Sequence, residues 1–244
     1  MMTVAIFGAT SILGQKLAHA YAQQGANVIV AGRDQDETTT IAADVRVRND
    51  VRTWAFHFDA ERVEEHPKLI GDIEAEAGPI DVAILVFGEM GADDKVEDIE
   101  NLKQIINVNY LGAASLCETL AARMIIRESG SIVGISSVAG DRGRQKNYHY
   151  GSAKGAFTLF LQGLRNRLHA HSVHVMTVRL GFVDTRLTYG QQSPLPSANP
   201  AKIADSIAKA QRRGAEDIYL PRFWRGIMGL IKSIPETYFK RMNV

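Results

Sequence analysis

The chain has 244 residues, an apolar share of 45% and a formal net charge of +1. That composition excludes a disordered chain, gives no bulk electrostatic case for binding nucleic acid, and suits one undivided α/β domain. The single cysteine, Cys117, excludes an internal disulfide framework, and its apolar setting in AASLCETLA reads as a buried packing thiol in a reducing compartment.

The N-terminal stretch MMTVAIFGATS runs into a strand with no charged n-region and no long apolar segment before it, so the expectation is a cytoplasmic protein. No apolar run reaches the roughly 20 residues needed to span a bilayer. Short β-branched runs predict strands at 3–8, 27–32, 52–58, 81–87, 130–136, 173–180 and 217–221. Amphipathic helical patterns fall between most of them, at 12–24, 60–77, 100–128, 151–170 and 200–213. Near-continuous apolar strands separated by helices signal a parallel sheet covered on both faces. The predicted fold class is therefore α/β: a single-domain, doubly wound (Rossmann-like) parallel sheet of about seven strands, with ligands at the carboxyl ends of the strands. The domain is expected to occupy 1–221, followed by a basic amphipathic extension over 222–244. Residues 186–200, RLTYGQQSPLPSANP, read as a mobile loop.

The first strand runs into GATSILG, residues 8–14, and then into a helix. Gly8 and Gly14 permit a tight turn and close helix packing, and the helix start at Thr10, Ser11, Ile12 and Leu13 can receive a pyrophosphate. A plain strand-to-helix turn is the alternative. The second strand ends at Gly32, followed by Arg33, whose forked donors suit a ribose 2′-phosphate, so NADP(H) is favoured. Asp34 keeps NAD(H) open if it faces the ribose instead. Asp59, at the end of the third strand, either caps the following helix or meets the adenine. The histidines His169, His171 and His174 change from helical to strand spacing with no carboxylate nearby, so no metal is expected there.

Tyr150 stands four positions before Lys154, so the two side chains share one helix face. An ammonium beside a phenol is expected to favour the phenolate, which suits an acid–base role. By itself the pair is a common spacing.

In chain order, GATSILG, Asp59, NVNYLG (107–112), GSIVGISSVAG (130–140), YGSAK (150–154) and RLGFVDT (179–185) together resemble the short-chain dehydrogenase/reductase family along nearly the whole chain. The resemblance implies a catalytic tetrad at Asn109, Ser137, Tyr150 and Lys154; Asn107, Ser136 and Tyr148 do not fit the spacing. It places Phe87 and Gly88 beside the cofactor, with Tyr150 and Lys154 also touching it. Gly181, Val183 and Thr185 would pass under the nicotinamide, with a helix cap as the other use of Thr185. It implies a homodimer or homotetramer built on 100–128 and 151–170. Three departures are visible: Ile12 replaces a glycine, LVFGEMG (85–91) replaces Asn-Asn-Ala-Gly, and Leu180 replaces a proline.

LVFGEMG, the loop before Tyr150 and the C-terminal segment are also similar to a narrower subgroup that includes the reductase component of the decaprenylphosphoryl-ribose 2′-epimerase. That likeness implies a lipid-linked keto-sugar substrate in cell-envelope polysaccharide metabolism. Residues 222–244 hold five basic side chains against Glu236, with aromatic and aliphatic residues on one side of two short helices broken at Pro235. Such a segment fits peripheral contact with the cytoplasmic membrane face, or docking onto the protein itself or a second subunit. Two other functions stay open: reduction of a soluble small carbonyl or acyl substrate, and nucleotide sensing without turnover.

Overall fold

The computed structural model describes residues 1–91, 98–184 and 197–242. Seven strands, β1 (Thr3–Phe7), β2 (Asn27–Gly32), β3 (Thr53–His57), β4 (Val82–Leu85), β5 (Gly130–Ser137), β6 (Val173–Leu180) and β7 (Asp217–Leu220), fall within two residues of the expected spans. They form one sheet in the order β3-β2-β1-β4-β5-β6-β7, with every pairing parallel. Parallel neighbours need crossovers. These are supplied by α1 (Ile12–Ala22), α2 (Gln35–Asn49), α3 (His66–Ala77), α4 (Ile99–Ile106), α5 (Ala113–Arg127), α6 (Tyr148–His169) and α7 (Pro200–Arg212). The order of strands reverses between β1 and β4, which opens a crevice at their carboxyl ends.

Side-chain alternation along each strand builds two cores. Val4 and Ile6 of β1 face Leu13, Leu17, Ile203 and Ile207, while Ala5 and Phe7 face Ile70, Leu116, Leu120 and Phe157. Cys117 is fully buried in the second core, where desolvation pushes its thiol well above the ordinary range.

Two elements depart from expectation. Helix α2 is not among the expected helices, because its buried stripe is narrow and includes a threonine and an alanine: Thr38, Ile41, Ala42 and Val45. The segment expected as one helix over 100–128 is α4, a π-helical turn at Asn107–Gly112, and α5. Such widened turns recur at functional sites, and this one carries Asn109. At its end, a β-carbon on Gly112 would fall 2.1 Å from the Ala60 carbonyl oxygen, so the chain passes close against the loop after β3.

The C-terminal segment forms α8 (Trp224–Ser233) and α9 (Glu236–Phe239). Trp224 and Met228 pack with Val138, Phe182 and Tyr219, so this face docks onto the protein's own fold. Arg142 clamps the helices: its guanidinium donates to the carbonyls of Ile231 (2.5 Å) and Ile234 (2.6 Å), pairs with Glu236 at 3.1 Å and stacks 3.8 Å over Phe239. Among the described residues, no helix is long and apolar enough to cross a membrane. Charge-assisted bonds of this kind are worth about 1.5–3 kcal/mol. Arg142→Ala should therefore lower Tm by at least about 3 °C and speed amide exchange in α9; an unchanged Tm with unchanged exchange would show that the clamp does not hold these helices.

Candidate active site

A cleft of about 470 Å³ opens at the carboxyl ends of the strands. At one end lies the β1–α1 turn. Ser11 caps α1, accepting from Gly14 N–H at 3.0 Å and donating to the Gly8 carbonyl at 2.9 Å. Thr10, Ser11, Ile12 and Leu13 line the cleft, so the positive end of α1 faces open space suited to an anion. A β-carbon on Gly8 would lie 2.7 Å from Phe87 N, and one on Gly14 would lie 2.7 Å from the Gly8 carbonyl oxygen. Backbone therefore meets backbone here, as a turn that cradles a pyrophosphate requires. The residues present fit a dinucleotide.

Arg33 lines the rim of the same cleft. Asp34 is engaged elsewhere, since its carboxylate accepts from Glu37 N–H at 2.9 Å and caps α2. Asp59 also lines the cleft, and it caps no helix; it accepts from Glu61 N–H at 3.1 Å, in a turn that precedes α3. Phe87 lines the floor, its ring 5.2 Å from that of Phe58.

At the other end Ser137, from the last residue of β5, and Tyr150, from the first turn of α6, face the cleft together, with the serine hydroxyl near enough to act on the phenol. A close approach makes this possible. A β-carbon on Gly140 would lie 2.5 Å from Gly155 N, so the 3-10 turn over Val138–Asp141 sits directly on α6. Ser137 Oγ also accepts from Ala139 N–H at 3.1 Å. One turn beyond Tyr150, Lys154 is buried, its Nζ donating to the carbonyls of Ile135 (3.1 Å) and Phe87 (3.4 Å). Asn109 is fully buried just behind. Its amide donates to the carbonyls of Glu89 (2.6 Å) and Ile105 (2.9 Å), and its oxygen accepts from Glu89 N–H at 3.2 Å. Gly88 is the hinge of this arrangement, because a β-carbon there would lie 2.8 Å from Asn109 Oδ1 and 3.3 Å from Lys154 Nζ.

The neighbours that failed the spacing test lie elsewhere. Ser136 bonds backward to the Lys154 carbonyl and Thr158, and Tyr148 is exposed with its ring against His149. His174 bonds Ser131 and the Ala215 carbonyl. Gly181 and Val183 line the cleft, but the side-chain space at Gly181 belongs to Trp224, whose Nε1 would lie 1.9 Å from a β-carbon there. Thr185 lies outside the described residues, as does most of the 186–200 loop. Arg144 and Asn147 line the cleft beside Tyr150 and carry no spacing signal in the sequence.

The expected acidification of Tyr150 by Lys154 is not what this geometry produces. Burial pushes the phenol up to about 12, opposed only by the nearby Ser137 hydroxyl. The amine is tied to two carbonyls and sits 5.9 Å from the ring centroid, and burial lowers its own pKa to about 8. The phenol is thus a proton donor across neutral pH. The amine binds its proton less tightly folded than unfolded, so unfolding takes up a proton between about pH 8 and the ordinary 10.5. Wild-type stability relative to Lys154→Met should rise with pH across that window; denaturant titrations showing no pH dependence in the difference would contradict a desolvated amine.

The family profile of the short chain dehydrogenases matches residues 2–194. An uncharacterized oxidoreductase of Mycobacterium tuberculosis is 35% identical over 240 residues, covering 98% of this chain and 96% of that protein. Another, from Streptomyces coelicolor, is 30% identical over 251 residues, covering 98% and 95%. The fold is shared with a short-chain dehydrogenase of Sphingobium yanoikuyae solved with NADPH, at a TM-score of 0.81, 24% identity and 97% coverage of both chains. It is shared also with the actinorhodin polyketide ketoreductase solved with NADPH, at a TM-score of 0.80, 21% identity, and coverage of 89% of this chain and 95% of that one. The chain belongs to the short-chain dehydrogenase family of NAD(P)-dependent oxidoreductases.

Proposed function

We propose that this chain is an NADPH-dependent ketoreductase whose substrate is a keto-sugar, carried on a lipid at the cytoplasmic membrane face. The carrying observation is the convergence of Tyr150, Ser137 and Lys154 on one cleft with the α1 N-terminus. When bound, a nicotinamide supplies the hydride. Gly8, Thr10, Ser11, Ile12 and Leu13, together with Asp59, Phe87, Gly88 and Val183, would hold the dinucleotide, with Arg33 at the ribose phosphate. As the carbonyl is reduced, negative charge grows on its oxygen, where the Tyr150 hydroxyl delivers a proton and Ser137 donates a hydrogen bond. Lys154 raises the positive potential beside the phenol once charged, and Asn109, through the Glu89 backbone, fixes the wall against which the amine sits.

NADPH is preferred in this reading because Arg33 is on the rim while Asp34 is engaged as a cap. The structural neighbours solved with NADPH agree with that preference. Membrane contact is supported by the outer face of the C-terminal segment, where Phe223, Leu230, Tyr238 and Met242 are exposed among Arg222, Arg225, Lys232, Lys240 and Arg241. Exposed Leu111, Ile126 and Leu159 support self-association along α5 and α6. A second reading, a soluble acyl or small carbonyl substrate, is favoured by 27% identity to the ketoacyl reductase HetN of Nostoc.

Tyr150→Phe should reduce NADPH oxidation with a competent ketone by about 10²–10⁴-fold while leaving NADPH affinity nearly unchanged; persistent turnover would refute the acid assignment. Arg33→Ala should raise KM for NADPH about tenfold or more and leave that for NADH unaltered. Leu230→Glu with Arg225→Glu should abolish sedimentation with anionic liposomes, leaving activity on a soluble ketone intact. Negligible binding of the wild type to such vesicles would remove the membrane part and favour the soluble substrate.

A further inference from the structure

Arg144 lines the substrate end of the cleft, in the loop that joins the Ser137 strand to the Tyr150 helix. Its Nε is buried and has no hydrogen-bond partner among the described residues. Among the described residues the acid that acts on it is Asp141, and that carboxylate is already committed: it pairs with Arg179 and accepts from the Tyr219 hydroxyl at 2.7 Å. Arg179 in turn is shared with Asp217 at 2.7 Å. The network around Asp141 is thus complete without Arg144.

A guanidinium held partly out of water with an unmet donor is costly unless something supplies the missing charge. Burial does lower its proton affinity, yet an arginine cannot shed its proton in the working pH range, so the cost is met by a partner rather than by titration. The dinucleotide's phosphates are provided for at the opposite end, by the start of α1 and by Arg33. Among the described residues no side chain meets the unpaired donor, and the substrate is a visitor that reaches this end.

We propose that Arg144 is a specificity-determining residue that binds an oxyanion, phosphate or carboxylate, carried on the ketone substrate. The inference rests on the ketoreductase reading and narrows it to anionic ketones. The fork of the guanidinium, rather than its charge alone, does the recognition, because Nε is the buried donor.

Three arms test it with NADPH oxidation as readout: dihydroxyacetone against its phosphate, methyl acetoacetate against acetoacetate, and a ketopentose prenyl phosphodiester in detergent against the free ketopentose. Arg144→Gln should raise KM for the anionic member of each pair by about 10–100-fold and move that for the neutral member much less, while Arg144→Lys should restore part of the loss. The arm with the largest selective loss tells free phosphate, carboxylate and lipid phosphodiester apart. An independent readout is the Nε–Hε NMR signal of Arg144, assigned by its loss in Arg144→Lys, which should shift when the same anions are added to NADPH-loaded protein. Equal losses on neutral and anionic ketones, or no loss together with a static signal, would overturn the anion site while leaving the reductase standing. A moving signal without NADPH oxidation by any ketone would refute the reductase reading and leave the anion site in place.

Discussion

The arrangement of the cleft depends on one buried amine. Lys154 reaches from α6 under the sheet and donates to the Ile135 carbonyl of β5 and the Phe87 carbonyl beyond β4. A charge taken out of water has to be met by acceptors, and here two strand ends supply them. The bond fixes the rotation of α6 about its axis, and so fixes where Tyr150, one turn earlier, points. It also explains Gly88: a side chain there would push the Asn109 amide or the amine out of place. The π-helical turn at Asn107–Gly112 belongs to the same constraint, since it carries the amide that bonds both the N–H and the carbonyl of Glu89.

That constraint separates two questions that the sequence runs together. Four-residue spacing says correctly that Tyr150 and Lys154 share a helix face. It does not say which influence dominates the phenol. Proximity to a cation would lower its proton affinity and burial raises it, and here burial prevails. A phenol kept neutral by burial can give a proton, the state that reduction of a carbonyl requires.

The strands were legible because parallel strands buried on both faces are continuous apolar runs, and all seven fall near their expected limits. Helix α2 was not, since its narrow buried stripe includes Thr38 and Ala42, whose hydropathy barely stands out from the polar residues around them. The break between α4 and α5 was not, because a π-helical turn changes hydrogen bonding without changing hydropathy. Among site positions, the β1–α1 turn and the Ser137, Tyr150 and Lys154 spacings carried local signals. Arg144 and the Asp141–Arg179–Tyr219 network carried none, because they are joined across elements far apart in the chain. Asp34 shows the opposite failure: its position after the second strand allows a ribose contact or a cap with equal ease, and only the backbone direction at α2 decides for the cap.

The C-terminal segment makes the same point about ambiguity. A basic, aromatic helix can face lipid or its own core, and composition cannot distinguish the two because one amphipathic helix can serve both. Residue by residue the faces divide: Trp224, Met228 and Phe239 turn inward, while Phe223, Leu230 and Tyr238 turn out. The inward face is not passive filling. Trp224 occupies the space that a side chain at Gly181 would need and packs on Val138, which follows Ser137 directly. Arg142, holding the far end of α8, lies two residues before Arg144. The cofactor end of the cleft is thus built by early elements of the chain, and the substrate end by the 137–150 segment braced by the last two helices. Changes on the inward face of the C-terminal segment therefore act on the substrate end first, because the brace and the cation at that end hang from the same short loop.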